Sequence, residues 1–358
     1  EIASCLVGSE MCIRDRNKSL IGVFFITFIY LLAIFLKQPL EYVFNLQLLP
    51  LSLLSLILGI FFFNIFSLSS NIVEGREFIK KNILQLAIIL LGIKISLAQL
   101  WRVSLESIFV IIITIISIFL AYLFIKKFLP TQKGVSKLLA IGTSICGVTA
   151  IMASSTILKS KDQDVAVAVL IVVLWGSIAV LTYPFFVELF FLTDLAKGIF
   201  LGVSIHDTSQ VLAAAMVHND LHPNQKTLEI ATITKIIRNL FLLALIPILI
   251  IFNKSSKNNK NKSQSIFVRI FNSIPLFVVG FILFATFRSF MDLYFFDNEK
   301  WIEFLVILEK LISILFGLAL TALGASIDLR KIFNQGYAAI LIGMTFSFVS
   351  VSYTHLRA

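Results

Sequence analysis

Charge is scarce in this chain. Asp, Glu, Lys and Arg make up 14% of its 358 residues, against about 25% in soluble domains. Hydrophobic residues reach 58% and the mean hydropathy is +0.97. A water-soluble globule of this length cannot hide that much apolar surface, which excludes an ordinary cytosolic enzyme; the same composition excludes a disordered protein. Cysteine is scarcer still, at three residues: Cys5, Cys12 and Cys146. Only Cys146 falls within an apolar segment, so no disulfide framework is available. The G-x-x-x-x-G-K-[ST] run of ATP-driven machines is missing, as are the G-x-S-x-G elbow and H-E-x-x-H. Acidic residues are outnumbered, 20 against 30 Lys and Arg, for a net charge of +10. No aromatic and basic interleaving accompanies the excess, so nucleic acid is not the expected partner. In a polytopic helical membrane protein such an excess belongs in cytoplasmic loops.

Crossing the hydrocarbon core takes about 20 mostly apolar residues. Eleven segments qualify, at about 20–36, 48–66, 82–100, 105–125, 138–158, 164–190, 195–217, 228–252, 267–289, 304–326 and 336–348. The fold expected is all-α, with about 10–11 transmembrane helices in one domain over 17–348. Glu1–Arg16 (EIASCLVGSEMCIRDR) and about Val349–Ala358 (VSVSYTHLRA) match neither flank of a membrane helix. They resemble translated sequencing-adapter read-through and are set outside that fold, with the last helix cut short. Leu20–Leu36 reads as a first span rather than a cleavable signal. The 35 Phe residues sit mostly inside the apolar runs and are expected to face lipid.

Loop charges bear on the count. With eleven full crossings, 16 loop cations fall on the side of Lys18 and seven on the other. If the fifth segment alone dipped in and returned, the split would be 13 to 10. The positive-inside rule then favours full crossings and a cytoplasmic N-terminus. The run KSSKNNKNKSQS (Lys254–Ser265) is expected as a solvated cytoplasmic loop.

Two internal matches stand out. GTSICGVTAIMASS (Gly142–Ser155) aligns without a gap on GVSIHDTSQVLAAA (Gly202–Ala215), offset 60, and LLGIKISL (Leu90–Leu97) aligns on ALGASIDL (Ala322–Leu329), offset 232. The second pair sits on spans three and ten, which run in opposite directions, as an inverted repeat requires. The first pair sits on spans five and seven, which run the same way and do not fit an inverted pair.

Charges inside spans are the most informative residues. Lys235 and Arg238 in span eight together cost about 5–7 kcal/mol on the insertion scale. Thr232, Lys235 and Asn239 stand at i, i+3 and i+7 and form one polar stripe with Arg238 beside it. A cationic patch facing the bundle interior suits an anionic substrate; the competing reading is snorkelling or a structural pair with an acid. His206 and Asp207 lie in the middle of span seven, where Ser204, Asp207 and Thr208 share a helix face. They are candidates for binding or proton coupling, or for polar packing; Asp207 could also neutralise Lys235 or Arg238. A lone His-Asp pair has too few ligands for a metal. The Gly-x-Ser steps of spans five and seven weaken a helix. A break there would expose N–H groups and a positive dipole end, lined by Ser144, Cys146, Gly147 and Ser204. An unbroken small-residue helix interface is the alternative. Lys94 is expected to snorkel, and His218 and His222 to lie in a solvated outer loop before Pro223. Glu309 and Lys310 have no assigned role.

GTSICGVTAIMASS, GVSIHDTSQVLAAA, KIIRNLFLLALIP (Lys235–Pro247) and LLGIKISL together resemble the YeiH-type sulfate exporter family of bacterial inner-membrane transporters. The resemblance implies inverted repeats with broken helices near the midplane, and a place in the bacterial cytoplasmic membrane. It also implies a secondary transporter that exports a small anion of the sulfate, sulfite or organosulfonate class, coupled to a proton or sodium gradient. In that scheme Lys235 and Arg238 attract the anion, Ser144, Cys146, Gly147 and Ser204 surround it, and His206 and Asp207 handle the coupling proton. No cofactor is expected. Two alternatives are a sodium/proton-type exchanger with Asp207 as ion ligand, and, remotely, an intramembrane hydrolase using His206, Asp207 and a Ser.

Overall fold

A computed structural model describes residues 20–40, 50–65, 70–128, 133–223, 225–252, 276–295, 298–328 and 337–355. Those residues are helical apart from short turns, with no strand among them. Five helices are long and apolar enough to cross a membrane. The chain divides into two compact units, residues 1–90 with 296–330, and residues 91–295 with 331–358. The loop Lys254–Ser265 and the segment Glu1–Arg16 lie outside the described residues.

The first unit contains α1 (Leu20–Leu40), α2 (Leu51–Ile65), α3 (Ser70–Phe78), a π-helical turn (Ile79–Ile83) and α4 (Leu84–Leu91), together with a late helix, Glu299–Gly324. Small residues set the packing of α2 on that late helix. A Cβ on Gly59 would run into the Thr321 carbonyl, and one on Gly324 into the Leu56 carbonyl, the close approach that helices in lipid use. The Arg76 guanidinium donates to the Ala325 carbonyl at 3.0 Å, and the Asn64 amide to the Ile327 carbonyl at 2.8 Å. Two side chains therefore satisfy carbonyls left over where the late helix ends. Glu309 and Lys310 both lie on its exposed face.

The second unit starts from α5 (Leu97–Phe128), then α6 (Lys133–Ser144), α7 (Val148–Leu158), α8 (Asp162–Phe190), α9 (Asp194–Ser204), α10 (Thr208–Leu221), α11 (Thr227–Phe252) and α12 (Leu276–Phe295). The late helix of the first unit is α13, and α14 (Tyr337–His355) returns to the second. Large apolar side chains of α5 and α8, among them Phe109, Phe119, Phe124, Phe186 and Phe190, are exposed, as expected of a lipid-facing surface. Leu138, Leu139, Ala168, Ile171, Ile342 and Phe346 form a buried core where α6, α8 and α14 meet.

The fifth and seventh apolar segments do not cross the unit. Each is a helical hairpin that enters and turns back. The base of the second hairpin is closed by the Lys226 amide, which donates to Asp194 Oδ2 at 3.0 Å, so the start of α9 and the end of α10 share one end. At the base of the first, Gly134 of α6 backs onto Asp164 in the first turn of α8, which follows α7 directly. Near its tip a Cβ on Gly142 would lie 2.7 Å from Ile151 Cγ1, so α6 and α7 lie against each other. At 11–14 residues and 1.5 Å rise each, the legs reach about 16–21 Å, roughly half of a core about 30 Å thick or a little more.

Between the hairpins the chain crosses once, through α8. They therefore enter from opposite ends of the unit. The pair α5 plus first hairpin and the pair α8 plus second hairpin form an inverted repeat. This explains the offset of 60, which could not be fitted to two full crossings. In the other match, Gly92 follows the last residue of α4 and Gly324 is the last residue of the late helix, and each meets a neighbouring backbone, at Phe281 and at Leu56.

Helix α11 runs past both hairpins. Gly198 and Gly202 of α9 pack on Ile230 and Thr234 in its first half, in parallel register. Cys146 and Ala150, at the start of α7, share a buried cluster with Leu242 in its second half.

Candidate functional site

The two tips meet. In the first, Gly147 turns the chain with φ 64° and ψ −123°, and its N–H donates to the Gly142 carbonyl at 2.9 Å. A side chain resists that positive φ. It would also press on the other hairpin, since a Cβ there would lie 3.2 Å from the Asp207 Cα and N. In the second tip, Ile205 and Asp207 are extended, at φ −90° and −89°. Ser204, Asp207 and Thr208 therefore do not share a helix face, because the helix is interrupted between them.

Each tip carries the C-terminal end of one half-helix and the N-terminal end of the next. The carbonyl ends of α6 and α9 concentrate negative partial charge at membrane depth, about half an elementary charge each. Lys235 and Arg238 of α11 meet them. Lys235 Nζ donates to the carbonyls of Ile145 (3.4 Å), Ile205 (3.0 Å) and His206 (2.5 Å). Arg238 Nε donates to Ser144 O (3.1 Å), Nη1 to Val203 O (2.5 Å) and Ile205 O (3.1 Å), and Nη2 to Thr143 O. Both cations are fully buried, and each bonds to both tips. A buried carbonyl without a donor costs about 1–3 kcal/mol, and hydrogen bonds to charged groups contribute about 1.5–3 kcal/mol. These donors go to main-chain oxygens rather than to open space, and neither cation snorkels.

The N-terminal ends are treated differently. Asp207 caps α10: its Oδ2 accepts from the Ser209 N–H at 3.1 Å and the Ser209 hydroxyl at 2.6 Å. At the matching position of the repeat stands Gly147, and α7 has no side-chain cap. Asp207, Thr208, Ser209 and Val148 are half-buried and Thr149 is exposed, so both N-terminal ends border accessible space. Asn239 Nδ2 donates to Thr208 Oγ1 at 3.2 Å, so Lys235 and Asn239 of the expected stripe meet the tips, while the Thr232 hydroxyl donates to Leu228 O within α11.

The eight residues singled out from the sequence thus gather at one crossing, in different roles. The Ser144 hydroxyl donates to Ile141 O at 3.0 Å within its own helix. Cys146 and Ser204 are buried beside the break. His206 is buried and its Nε2 lies 2.8 Å from the Ser347 hydroxyl of α14, a partner with no sequence signal. Asp207 caps α10 through Oδ2. Lys94 does not simply snorkel, since its ammonium lies 3.2 Å from Glu229 in the first turn of α11. His218 is not in a solvated loop; it is fully buried and 3.0 Å from Glu188.

A cavity of about 610 Å³ opens among α5, α6, α7 and α11. Its wall runs from Lys137, in the second turn of α6, to Ser144 at the tip, past Phe119, Tyr122, Ile141 and Leu249. Its inner end adjoins the Ser144 carbonyl that Arg238 holds.

A family profile described as conserved hypothetical protein 698 matches residues 21–343. Among curated relatives, a UPF0324 membrane protein of Streptococcus pyogenes is 31% identical over 270 residues, covering 75% of this chain and 78% of the relative. One from Streptococcus agalactiae is 33% identical over 272 residues, with the same coverage. One from Clostridium tetani is 26% identical over 347 residues, covering 94% of this chain and 95% of the relative. These names place the relatives in membranes and state no substrate. No solved structure matches.

Proposed function

The chain belongs to the conserved hypothetical protein 698 family of membrane proteins, and from that premise we propose that it is a secondary transporter for a small anion. The observation that carries the reading is the charge at the crossing. Two C-terminal and two N-terminal dipole ends cancel there, which leaves Lys235 and Arg238 against the single carboxylate of Asp207. Two buried basic side chains at membrane depth, beside the uncapped start of α7, favour a bound anion. Lys235 and Arg238 act through field and scaffold; direct contact falls to the N–H groups after Gly147 and to Thr149. Ser144, Cys146 and Ser204 shape the wall. Asp207 is the coupling group, with His206 held behind it by Ser347.

The hydrolase reading is disfavoured, because the Asp207 carboxylate is committed to Ser209 and does not orient His206.

The site of action in this reading is the bacterial cytoplasmic membrane. Among the described residues of the second unit, Lys126, Lys127, Lys133, Lys137, Lys159 and Lys161 flank the end where α5 finishes, and Lys94, Arg102, Lys197, Lys226 and Arg288 flank the other. In this reading the first hairpin faces the cytoplasm, the side on which the positive-inside rule expects the more basic loops of the sequence.

Counterflow in proteoliposomes tests the proposal. Labelled sulfite, sulfate or an alkanesulfonate should exchange against the same internal anion, with a dependence on pH gradient. Absence of exchange for all three, together with sodium- or proton-driven dye dequenching that needs no anion, would replace it with the cation-exchanger reading.

A further inference from the structure

At the less basic end of the second unit, where the second hairpin begins and ends, three metal-ligating side chains converge. Glu188 closes α8, His218 lies in the last turn of α10, and His222 follows at its C-terminal cap. Glu188 Oε2 lies 3.0 Å from His218 Nε2 and 3.8 Å from His222 Nε2, and the three ligand atoms all lie within 4.8 Å of one another. Metal–nitrogen bonds of about 2.0–2.1 Å in a tetrahedron put ligand atoms about 3.3 Å apart, so small side-chain shifts suffice. The i, i+4 spacing brings both imidazoles off one turn, with ring centroids 4.9 Å apart. Side-chain exposure of 35% at His222 and 36% at Glu188 opens the cluster to solvent, while His218 forms its buried back.

Lys197 argues against a cation on first sight, since its ammonium lies 2.7 Å from Glu188 Oε2. It also shows that the carboxylate there accepts a positive charge. The same ammonium is 3.2 Å from Gln225 Oε1, so the flexible lysine has a second acceptor when displaced.

We propose that Glu188, His218 and His222 bind a first-row divalent transition metal of the Zn²⁺ class, with water completing the shell. Two imidazoles and one carboxylate suit Zn²⁺ and reject Mg²⁺ and Ca²⁺, which require oxygen ligands. The ion would tie both the end of α8 and the end of α10 together, fixing the base of the second hairpin. Nothing in this site depends on the transport reading.

The test is titration of the purified, chelator-stripped full chain in detergent with Zn²⁺, read by calorimetry and by the thermal unfolding midpoint. One Zn²⁺ per chain with a raised midpoint is expected, with Mg²⁺ silent. His222→Ala and Glu188→Gln should each weaken binding at least tenfold, and His222→Ala, at a partly exposed position, should keep the metal-free midpoint near the parent value. Lys197→Met should tighten binding. No saturable Zn²⁺ uptake, or uptake unchanged in both His222→Ala and Glu188→Gln, overturns the site.

Discussion

Gly147 and Asp207 face each other across the two tips, so close that a Cβ on the glycine would stand 3.2 Å from the aspartate Cα. They also occupy the same position of the 60-residue repeat. One position supplies backbone freedom and the other a carboxylate, so the repeat is symmetric in path and asymmetric in charge.

Gly147→Ala should be costly for its size. The φ of 64° strains any side chain, and the neighbouring tip leaves little room. A loss of about 1–3 kcal/mol is expected, seen as a lower unfolding midpoint in detergent, with Gly147→Val worse. A midpoint equal to the parent would show that the tips separate easily.

Arg238→Lys should not substitute. The guanidinium serves four carbonyls in fixed directions, and an ammonium cannot reach them all. Orphaned carbonyls should lower stability by about 2–4 kcal/mol, measured as loss of monodisperse protein on size exclusion. Lys235→Met should behave similarly. If either variant stays folded, anion exchange then reports its share of the site field.

Asp207→Asn and Asp207→Ala separate two roles. Asn caps a helix about as well as Asp, so Asp207→Asn should fold normally and lose the pH dependence of exchange. Asp207→Ala should in addition lose about 1 kcal/mol of helix capping. Unaltered pH dependence in the Asn variant would move the coupling proton elsewhere.

Labelling with a membrane-impermeant maleimide checks the hairpins in a background without native cysteine. Lys133→Cys and Lys161→Cys should react from one face of the membrane, and Leu192→Cys and Lys226→Cys from the other. Opposite faces for positions 133 and 161 would restore a full crossing for the fifth segment.

Much of this was legible in the sequence. The breaks at Gly147 and His206 fall where expected, as do several apolar segments, whereas the third, 82–100, is divided between α4 and α5 at Ile95–Ser96. The direction of the chain beyond each break was not. A hairpin of two half-helices, such as Lys133–Leu158, offers hydropathy the same length as one crossing, and small residues are used in both. Loop charge held the missing signal. Letting one segment return weakens the bias, but letting both return strengthens it. The partners of Lys235 and Arg238 were hidden for another reason, since they are backbone carbonyls and carry no residue identity. Pro223 drew attention to the loop after His218 and away from Glu188, which is 30 residues upstream and meets it only in three dimensions.

One helix holds both halves of the crossing. Because Lys235 and Arg238 each grip the two tips at once, neither hairpin can slide without dragging the other through α11. Under the proposed transport, that shared grip predicts one concerted stroke rather than two independent doors.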